Sequence, residues 1–124
     1  MGKRIIKAFA MILITFVSVV LLLGLMFEYT FSWKLTDVGT ETSPNGRYRL
    51  LFQAVGEADF PFGNSHAKVT LYDGNKKIHS FREDIADDGA SFRPDNYCVE
   101  WRSDSVVITF IGSEQADHKV EVFY

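Results

Sequence analysis

The stretch TSPNGRYRLLF, residues 42–52, decides the fold class of this chain because it couples a tight turn to a strand. Pro44 presets φ for the second position of a type I turn, and Gly46 suits its last position. The strand residues RLLFQAV are apolar on both faces, which predicts a central strand that is covered on both sides. A second stretch, EWRSDSVVITF (residues 100–110), repeats this pattern with SDS in the turn. Both stretches therefore predict β-hairpins.

Turns of this kind also join strands in β-propellers, so the length of the region has to decide between the architectures. About ninety residues, from 35 to 124, are available. They would make roughly two four-stranded blades, whereas propellers close with four or more. We therefore expect one small β-domain and attribute the two similar turns to common hairpin chemistry.

Short β-rich runs separated by turn residues continue through this region, and no window keeps a helical apolar period over three turns. The predicted strands are residues 34–40, 47–55, 66–73, 77–83, 97–102, 105–111 and 119–124. Short connections between consecutive strands favour antiparallel pairing. The predicted fold class is an all-β antiparallel meander or small sandwich-like sheet, preceded by one N-terminal transmembrane α-helix.

Alternation assigns the strand faces. Tyr97, Val99 and Trp101 are predicted to point to one side, and Cys98 and Glu100 to the other. At the end of the chain, KVEVFY places its valines and its tyrosine on one face, so residues 119–124 are expected to belong to the sheet. The central strands need a cover, which a second sheet would supply or else the loops that carry Phe60, Phe62, Ile85 and Phe92.

The N-terminal segment contains a run of twenty residues without a charge, residues 8–27. As a helix that rises about 1.5 Å per residue, this run would span roughly 30 Å, the thickness of the hydrocarbon core of a bilayer. It has no polar stripe of the kind that a soluble core helix shows to solvent. The run predicts a transmembrane helix in contact with membrane lipid and divides the chain into a 1–33 anchor segment and a 34–124 β-domain.

Basic residues predict the orientation of that helix. Lys3, Arg4 and Lys7 precede the run, and the first charge after it is Glu28. Lys and Arg favour the cytoplasmic side, so we expect a single-pass protein with a cytoplasmic N-terminus and an extracytoplasmic domain. A cleavable signal peptide is the alternative, but its apolar region is usually shorter and ends in a small-x-small site. An uncleaved signal anchor is the preferred interpretation.

The predicted exterior part is acidic. From residue 35 onward, nine basic and fifteen acidic side chains give a formal charge of −6, against −3 for the whole chain. An acidic domain repels nucleic acid and anionic lipid head groups. We therefore expect no nucleic-acid partner.

No pattern in the sequence indicates a metal, a cofactor or a catalytic site. His66, His79 and His118 share no metal-ligand spacing, and one cysteine cannot form a Cys-rich zinc site. The acidic run EDIADDG (residues 83–89) lacks the alternating carboxylates of a calcium loop. Nucleophile elbows, Walker loops and dinucleotide-binding fingerprints are absent from the sequence. The sequence predicts a protein that is not an enzyme.

Two loops are candidate partner-binding segments. Phe60 and Phe62 flank a proline in ADFPFGNS, where they would be an apolar anchor if exposed or a plug for one end of the sheet if folded inward. The plug is favoured, because a small domain needs its aromatic side chains. Asp84, Asp87 and Asp88 in the acidic run are the polar candidates.

Cys98 is the single cysteine of the chain and would lie outside the reducing cytoplasm. Such a residue is either buried and inert or pairs with another chain through an intermolecular disulfide. Its predicted face, shared with Glu100, argues against deep burial, but burial is the preferred interpretation.

The layout of the whole chain, together with the SPNGRY turn, resembles small bacterial membrane-anchored proteins that carry an extracytoplasmic β-domain. The resemblance implies a cell-envelope location and transfers no functional residue. The leading hypothesis is a non-catalytic binding module that contacts an envelope or membrane protein. An accessory subunit of a membrane complex and an unrecognised hydrolase are the alternatives.

Overall fold

The computed structural model describes residues 2–124. One long helix, α1 (Gly2–Glu28), is continued by a π-helical turn at Tyr29–Trp33. Seven strands follow: β1 (Leu35–Thr42), β2 (Tyr48–Val55), β3 (Ser65–Asp73), β4 (Lys76–Ile85), β5 (Tyr97–Trp101), β6 (Ser105–Phe110) and β7 (His118–Phe123).

The strands form two antiparallel sheets. The first has the order β1-β2-β3-β4 and the second has the order β5-β6-β7, so each sheet is a meander of consecutive strands. The two sheets pack face to face as a small sandwich. This confirms the predicted fold class of an all-β antiparallel domain after a helix.

Strand boundaries differ most from the predicted ones at the C-terminal ends of β1 and β4. β4 continues to Ile85 instead of ending at residue 83, because Ile85 is fully buried and pairs with Ser65. β1 continues to Thr42 and contains a bulge between Asp37 and Gly39. Bulges on edge strands interrupt the row of free backbone groups that another chain would otherwise pair with.

The core lies between the inner faces of the sheets. Phe52 of the first sheet stacks on Tyr97 of the second with ring centroids 3.7 Å apart, and Phe81 meets the edge of Phe110 at 6.2 Å. The predicted alternation is confirmed, since the residues pointing inward from β5 and β7 pack against this core. They are Tyr97, Val99, Trp101, Val120, Val122 and Tyr124.

Of the two predicted covers for the central strands, a second sheet or the loops, the opposite sheet supplies the inner one. Ile85, which lies in β4, and Phe92 of the following loop are buried in the same core. Phe60 and Phe62 are 94% and 70% exposed, so the prediction that they plug one end of the sheet is wrong. The central strands β2 and β6 occupy interior positions as predicted, but an outward residue such as Leu51 is only half-buried.

The helix is long and apolar enough to cross a membrane, and none of its side chains is buried against the domain. Its last turn is nevertheless bound to the loop that follows β2. The Glu57 amide donates to the Phe31 carbonyl oxygen at 2.9 Å, and the Gly56 amide donates to the Lys34 carbonyl oxygen at 2.7 Å. Gly56 has φ +63°, and a Cβ there would overlap the Phe31 carbonyl oxygen. Glycine is therefore required at this junction.

Strand directions give the sandwich two distinct ends. β1 leaves the helix at Leu35, which pairs with Val55, and its eight residues rise about 3.3 Å each. The opposite end therefore lies about 25 Å from the helix. We call the end next to the helix, with loops 56–64, 86–96 and 111–117, the helix-proximal end. The end with connections 43–47, 74–75 and 102–104 is the far end.

Candidate functional site

An open cleft lies between the two sheets at the far end. Its wall is aromatic, made by Tyr48, Trp101 and Tyr124, and its rim is made by turn residues 43–45 and 102–103. The cleft encloses about 280 Å³. We call it the far-end cleft.

The aromatic wall is a single stack of rings. Tyr48 and Tyr124 lie parallel with centroids 4.0 Å apart, and Trp101 follows at 6.4 Å from Tyr124. The Tyr124 hydroxyl lies 2.7 Å from the Ser105 carbonyl oxygen and 3.0 Å from that of Arg102, either of which accepts its hydrogen. Burial raises the pKa of Tyr124, so this hydroxyl stays protonated and keeps donating. The wall is fixed by these contacts.

The rim turn at residues 43–47 is held by its own hydrogen bonds. The Gly46 amide donates to the Ser43 carbonyl oxygen at 2.9 Å, which closes the predicted β-turn. The Ser43 hydroxyl accepts from the Tyr48 amide at 2.9 Å, and the Asn45 side-chain oxygen accepts from the Arg47 amide at 3.0 Å. The same glycine and polar residues that predicted the turn therefore also pre-organise the rim.

Arg102 supplies the charge next to the cleft. Its guanidinium lies 3.3 Å from a Glu100 carboxylate oxygen and 3.4 Å from one of Glu121. The Glu100 hydrogen bond is the main cause of the raised pKa of Arg102. The far-end cleft thus combines apolar ring faces with paired charge and polar turn atoms, an arrangement that offers contact area and hydrogen bonds to a partner.

Trp101 belongs to this cleft as well as to the core. Alternation predicted that it points inward, and it does pack against the core, but it is only partly buried. Its remaining surface lines the cleft. The alternation of β5 predicts Trp101 as a core residue and gives no sign of the cleft.

The candidate phenylalanines lie at the helix-proximal end. Phe60 lines a second cleft together with Phe27 and Phe31 of the helix end, and this cleft encloses about 390 Å³. Phe62 is close to Gly89 of the neighbouring loop, where a Cβ would lie 2.9 Å from the Phe62 Cα. The structure therefore brings the Phe60–Phe62 loop and the end of the acidic run together.

The three aspartates of the acidic run have different environments. Asp87 is 7% exposed and accepts hydrogen bonds from the Asn96 side-chain amide at 3.1 Å and from the Ser113 amide at 3.0 Å. These bonds lower the pKa of Asp87, with the Asn96 contact as the first cause. Asp88 is exposed with φ 51°, and Asp84 is exposed. Asp87 therefore faces the interior, while its two companions face solvent.

Asp84 takes part in a cluster that the sequence did not reveal. The His66 ring lies between two carboxylates, with Nδ1 2.6 Å from Asp84 Oδ1 and Nε2 2.8 Å from Asp59 Oδ1. The pKa of His66 is raised, mainly by the hydrogen bond to Asp59, against the opposing effect of burial. Asp59 belongs to the loop that carries Phe60, so the protonated ring ties this loop to β4.

Cys98 lies on the outer face of β5, exposed and without a disulfide partner in the chain. The preferred prediction that this thiol is buried is wrong. β5 alternates from its first residue, Tyr97. Its even-numbered residues face solvent because its odd-numbered residues fill the core.

Among residues 2–124 no group of three or more His, Cys, Asp or Glu side chains is arranged to hold a metal ion.

The two similar turns were the one sequence signal for the far-end cleft. The turn at 43–47 follows β1 and the turn at 102–104 follows β5. Both strands run away from the helix, so both turns reach the same end. The sequence pattern predicts the two turns. It does not predict that they lie side by side, because that depends on how the two sheets pack.

The chain matches no family model, no curated protein and no solved structure.

Proposed function

We propose that this protein is a non-catalytic binding module, held at the outer face of a bacterial cell membrane by its N-terminal helix, with the N-terminus in the cytoplasm. Its partner is an envelope or membrane protein, and the far-end cleft receives a protruding side chain or short segment of that partner. The observation that carries the proposal is the aromatic cleft at the end of the domain opposite the helix, about 25 Å from it.

The composition and size of the cleft favour a protein partner. Trp, Tyr and Arg dominate the binding energy of protein interfaces, and the cleft offers Tyr48, Trp101, Arg102 and Tyr124. Small-molecule pockets usually hold about 300–1,000 Å³ and enclose most of their ligand. At about 280 Å³ and open to solvent, this cleft suits one or two side chains better than a whole ligand.

The junction between helix and domain supports a helix that is retained. The Glu57 and Gly56 amides are satisfied by the carbonyl oxygens of Phe31 and Lys34. Cleavage after Phe31 or Ser32 would remove the acceptor of the Glu57 amide and the carbonyl group that packs against Gly56. The basic residues before the apolar run favour the orientation with the domain outside.

Photo-crosslinking in intact cells tests the proposal. A crosslinking amino acid at Ser103, an exposed residue of the cleft rim, is expected to give a discrete adduct with one envelope protein. The matched control carries it at Glu114, an exposed residue of the helix-proximal end. Asn45→Trp, which fills the cleft from the exposed rim, should abolish the Ser103 adduct. Equal adducts from both positions, or a Ser103 adduct that survives Asn45→Trp, would contradict the proposal.

Exchange of the helix separates this function from that of an accessory subunit. If residues 8–27 are replaced by an unrelated membrane helix, a binding module keeps its Ser103 adduct, because the cleft is distant from the membrane. A subunit that packs through its helix loses its partner. Loss of the adduct in a correctly inserted chimera would therefore assign the protein to the second class.

A further inference from the structure

Two phenylalanines at the helix-proximal end are largely exposed. Phe60 is 94% exposed and Phe62 is 70% exposed, and they are separated only by Pro61. Adjacent exposed aromatic side chains form a patch that marks an interaction site, whereas single exposed apolar residues are ordinary. The loop that carries them needs a surface to bury them.

The loop that presents these rings is braced. The Asp59 amide donates to the Asn64 carbonyl oxygen at 3.0 Å, and the Gly63 amide donates back to the Asp59 carbonyl oxygen at 2.7 Å. The Asp59 carboxylate is also held by the His66 ring at 2.8 Å. A loop closed at its base in this way holds its tip outward and does not need to reorganise in order to bind.

The position of the loop relative to the helix identifies the surface. Phe60 shares a cleft with Phe27, the last residue of the uncharged run, and with Phe31. The Glu57 amide, three residues before Phe60, is hydrogen-bonded to the Phe31 carbonyl oxygen. Three residues span at most about 10 Å, so the tip of the loop stays close to the helix end. If residues 8–27 span the bilayer, this helix end lies at its outer interface, where aromatic side chains are enriched.

We infer that the loop of residues 57–64 is a second membrane contact, which inserts Phe60 and Phe62 into the outer interface of the bilayer beside the helix. The inference rests on the proposed membrane anchorage and assigns the two phenylalanines to a lipid surface. Phe60 faces the aromatic end of the helix across a shared cleft, so the loop lies at the level where that helix end would meet the bilayer surface. The contact adds a constraint to those already made by the chain link at Lys34 and by the Gly56 and Glu57 hydrogen bonds.

The charges around the loop determine the kind of lipid contact. Glu57 and Asp59 flank the tip, Asp59 being paired with His66, and residues 57–64 contain no Lys or Arg that would attract anionic head groups. Carboxylates are repelled by anionic head groups, so insertion is driven by the apolar rings alone. The contact is therefore expected in membranes of zwitterionic lipid and gains nothing from anionic lipid.

A fluorescent label in the full chain tests this. In a Cys98→Ser background, Phe60→Cys carries an NBD group, and the protein is reconstituted in phosphatidylcholine vesicles with or without a lipid that bears a nitroxide near the head of its acyl chain. Phe123→Cys is the matched control. Phe123 is likewise exposed, at 64%, but it lies at the far end, where it pairs with Ser105. Substitution of such exposed rings leaves the core intact. Quenching at position 60 should exceed that at position 123 by about twofold or more, with a blue-shifted emission.

A third label separates failure of this inference from failure of the anchorage. Gly24→Cys places NBD within the apolar run, at a site where no other side chain lies within 4 Å. Quenching at 24 and 60 but not at 123 supports the inference. Quenching at 24 with equal, weak quenching at 60 and 123 overturns it and leaves the anchorage standing. Absence of quenching at 24 overturns both. Adding phosphatidylglycerol to the vesicles should leave the quenching at position 60 unchanged or weaken it. Quenching at position 60 that occurs only when phosphatidylglycerol is present would refute the apolar mechanism.

Discussion

Asp87 is predicted to stabilise the domain although it lies in an acidic run that resembles a solvated loop. The perturbation is Asp87→Asn, which keeps the shape of the side chain and removes its charge. In the protein, Oδ1 accepts from the Ser113 amide at 3.0 Å, and Oδ2 accepts from the Asn96 side chain at 3.1 Å and from the Arg93 guanidinium at 3.0 Å. Both oxygens therefore face N–H donors, and Asn96 is only 2% exposed.

The magnitude follows from this donor count. In either orientation, the amide nitrogen of the new Asn meets a donor, so at least one charge-assisted hydrogen bond is lost, and such bonds contribute about 1.5–3 kcal/mol each. The N–H donor of Ser113 or Asn96 that then faces the new amide nitrogen is left without an acceptor, and its desolvation adds to the cost. The contact with Arg93 adds little, since the guanidinium is half-exposed. We expect a loss of about 2–4 kcal/mol in the free energy of unfolding, a large part of the 5–15 kcal/mol that a small domain has.

The assay is urea and thermal unfolding of the full chain in detergent, followed by circular dichroism. Asp88→Asn is the matched control, the same substitution at the next residue, which is exposed and keeps a side chain that tolerates positive φ. It should change stability by less than about 0.5 kcal/mol. An Asp87→Asn protein that is as stable as Asp88→Asn would refute the assignment of Asp87 to the interior.

The pH dependence gives a second check on the same residue. Because the pKa of Asp87 is lowered by its bonds to Asn96 and Ser113, its contribution is present above the unfolded-state pKa of about 3.9 and is lost as the pH falls through the folded-state value. The stability difference between wild type and Asp87→Asn should therefore be constant near neutral pH and should shrink in strong acid. A difference that widens in acid would contradict this cause.

Two further predictions concern the His66 cluster and the last strand. The pKa of His66 is raised, mainly by Asp59, so its contribution is complete below the unfolded-state value of about 6.5 and is lost as the pH rises through the folded-state value. His66→Gln should therefore lower the melting temperature more at pH 6 than at pH 9, and an equal loss at both would show that the ion pairs contribute nothing. Deletion of residues 119–124 should unfold most molecules, because it removes β7 and the buried Val122, and each buried apolar side chain contributes about 1.5–3 kcal/mol. A truncated chain that melts within a few degrees of the intact one, as measured by circular dichroism, would make β7 peripheral.

Periodicity was sufficient to predict the strands. All seven were placed within a few residues of their bounds, because inward and outward positions must alternate wherever one sheet face is buried. The core positions of β5 and β7 followed from the same rule. The alternation rule does not locate the ends of strands. β4 extends to Ile85 because Ile85 pairs with Ser65, and the local sequence pattern does not indicate this pairing.

Loops carry no such period, so their burial could not be read from the sequence. Asp87 and Asp88 are chemically identical neighbours, and only the packing of Asn96 and Ser113 against the first makes it an interior residue. Phe60 was expected inside because a small core needs aromatic rings, but the core is filled by residues of the strands and by Phe92. The core of this domain is therefore complete without every aromatic side chain of the chain.

The junction at Gly56 links the two proposed contact surfaces. A chain that left the membrane through a flexible tether would let the domain pivot, and the position of the far-end cleft would then be undefined. Here the tether is short, since β1 begins two residues after the helical turn ends at Trp33, and the Gly56 and Glu57 amides bind the helix end on its other side. On the proposed arrangement, insertion of Phe60 would add a third constraint. Because β1 and β2 lead from this junction to the cleft, a domain fixed at its base holds the cleft at a distance from the helix end that strand length sets, about 25 Å.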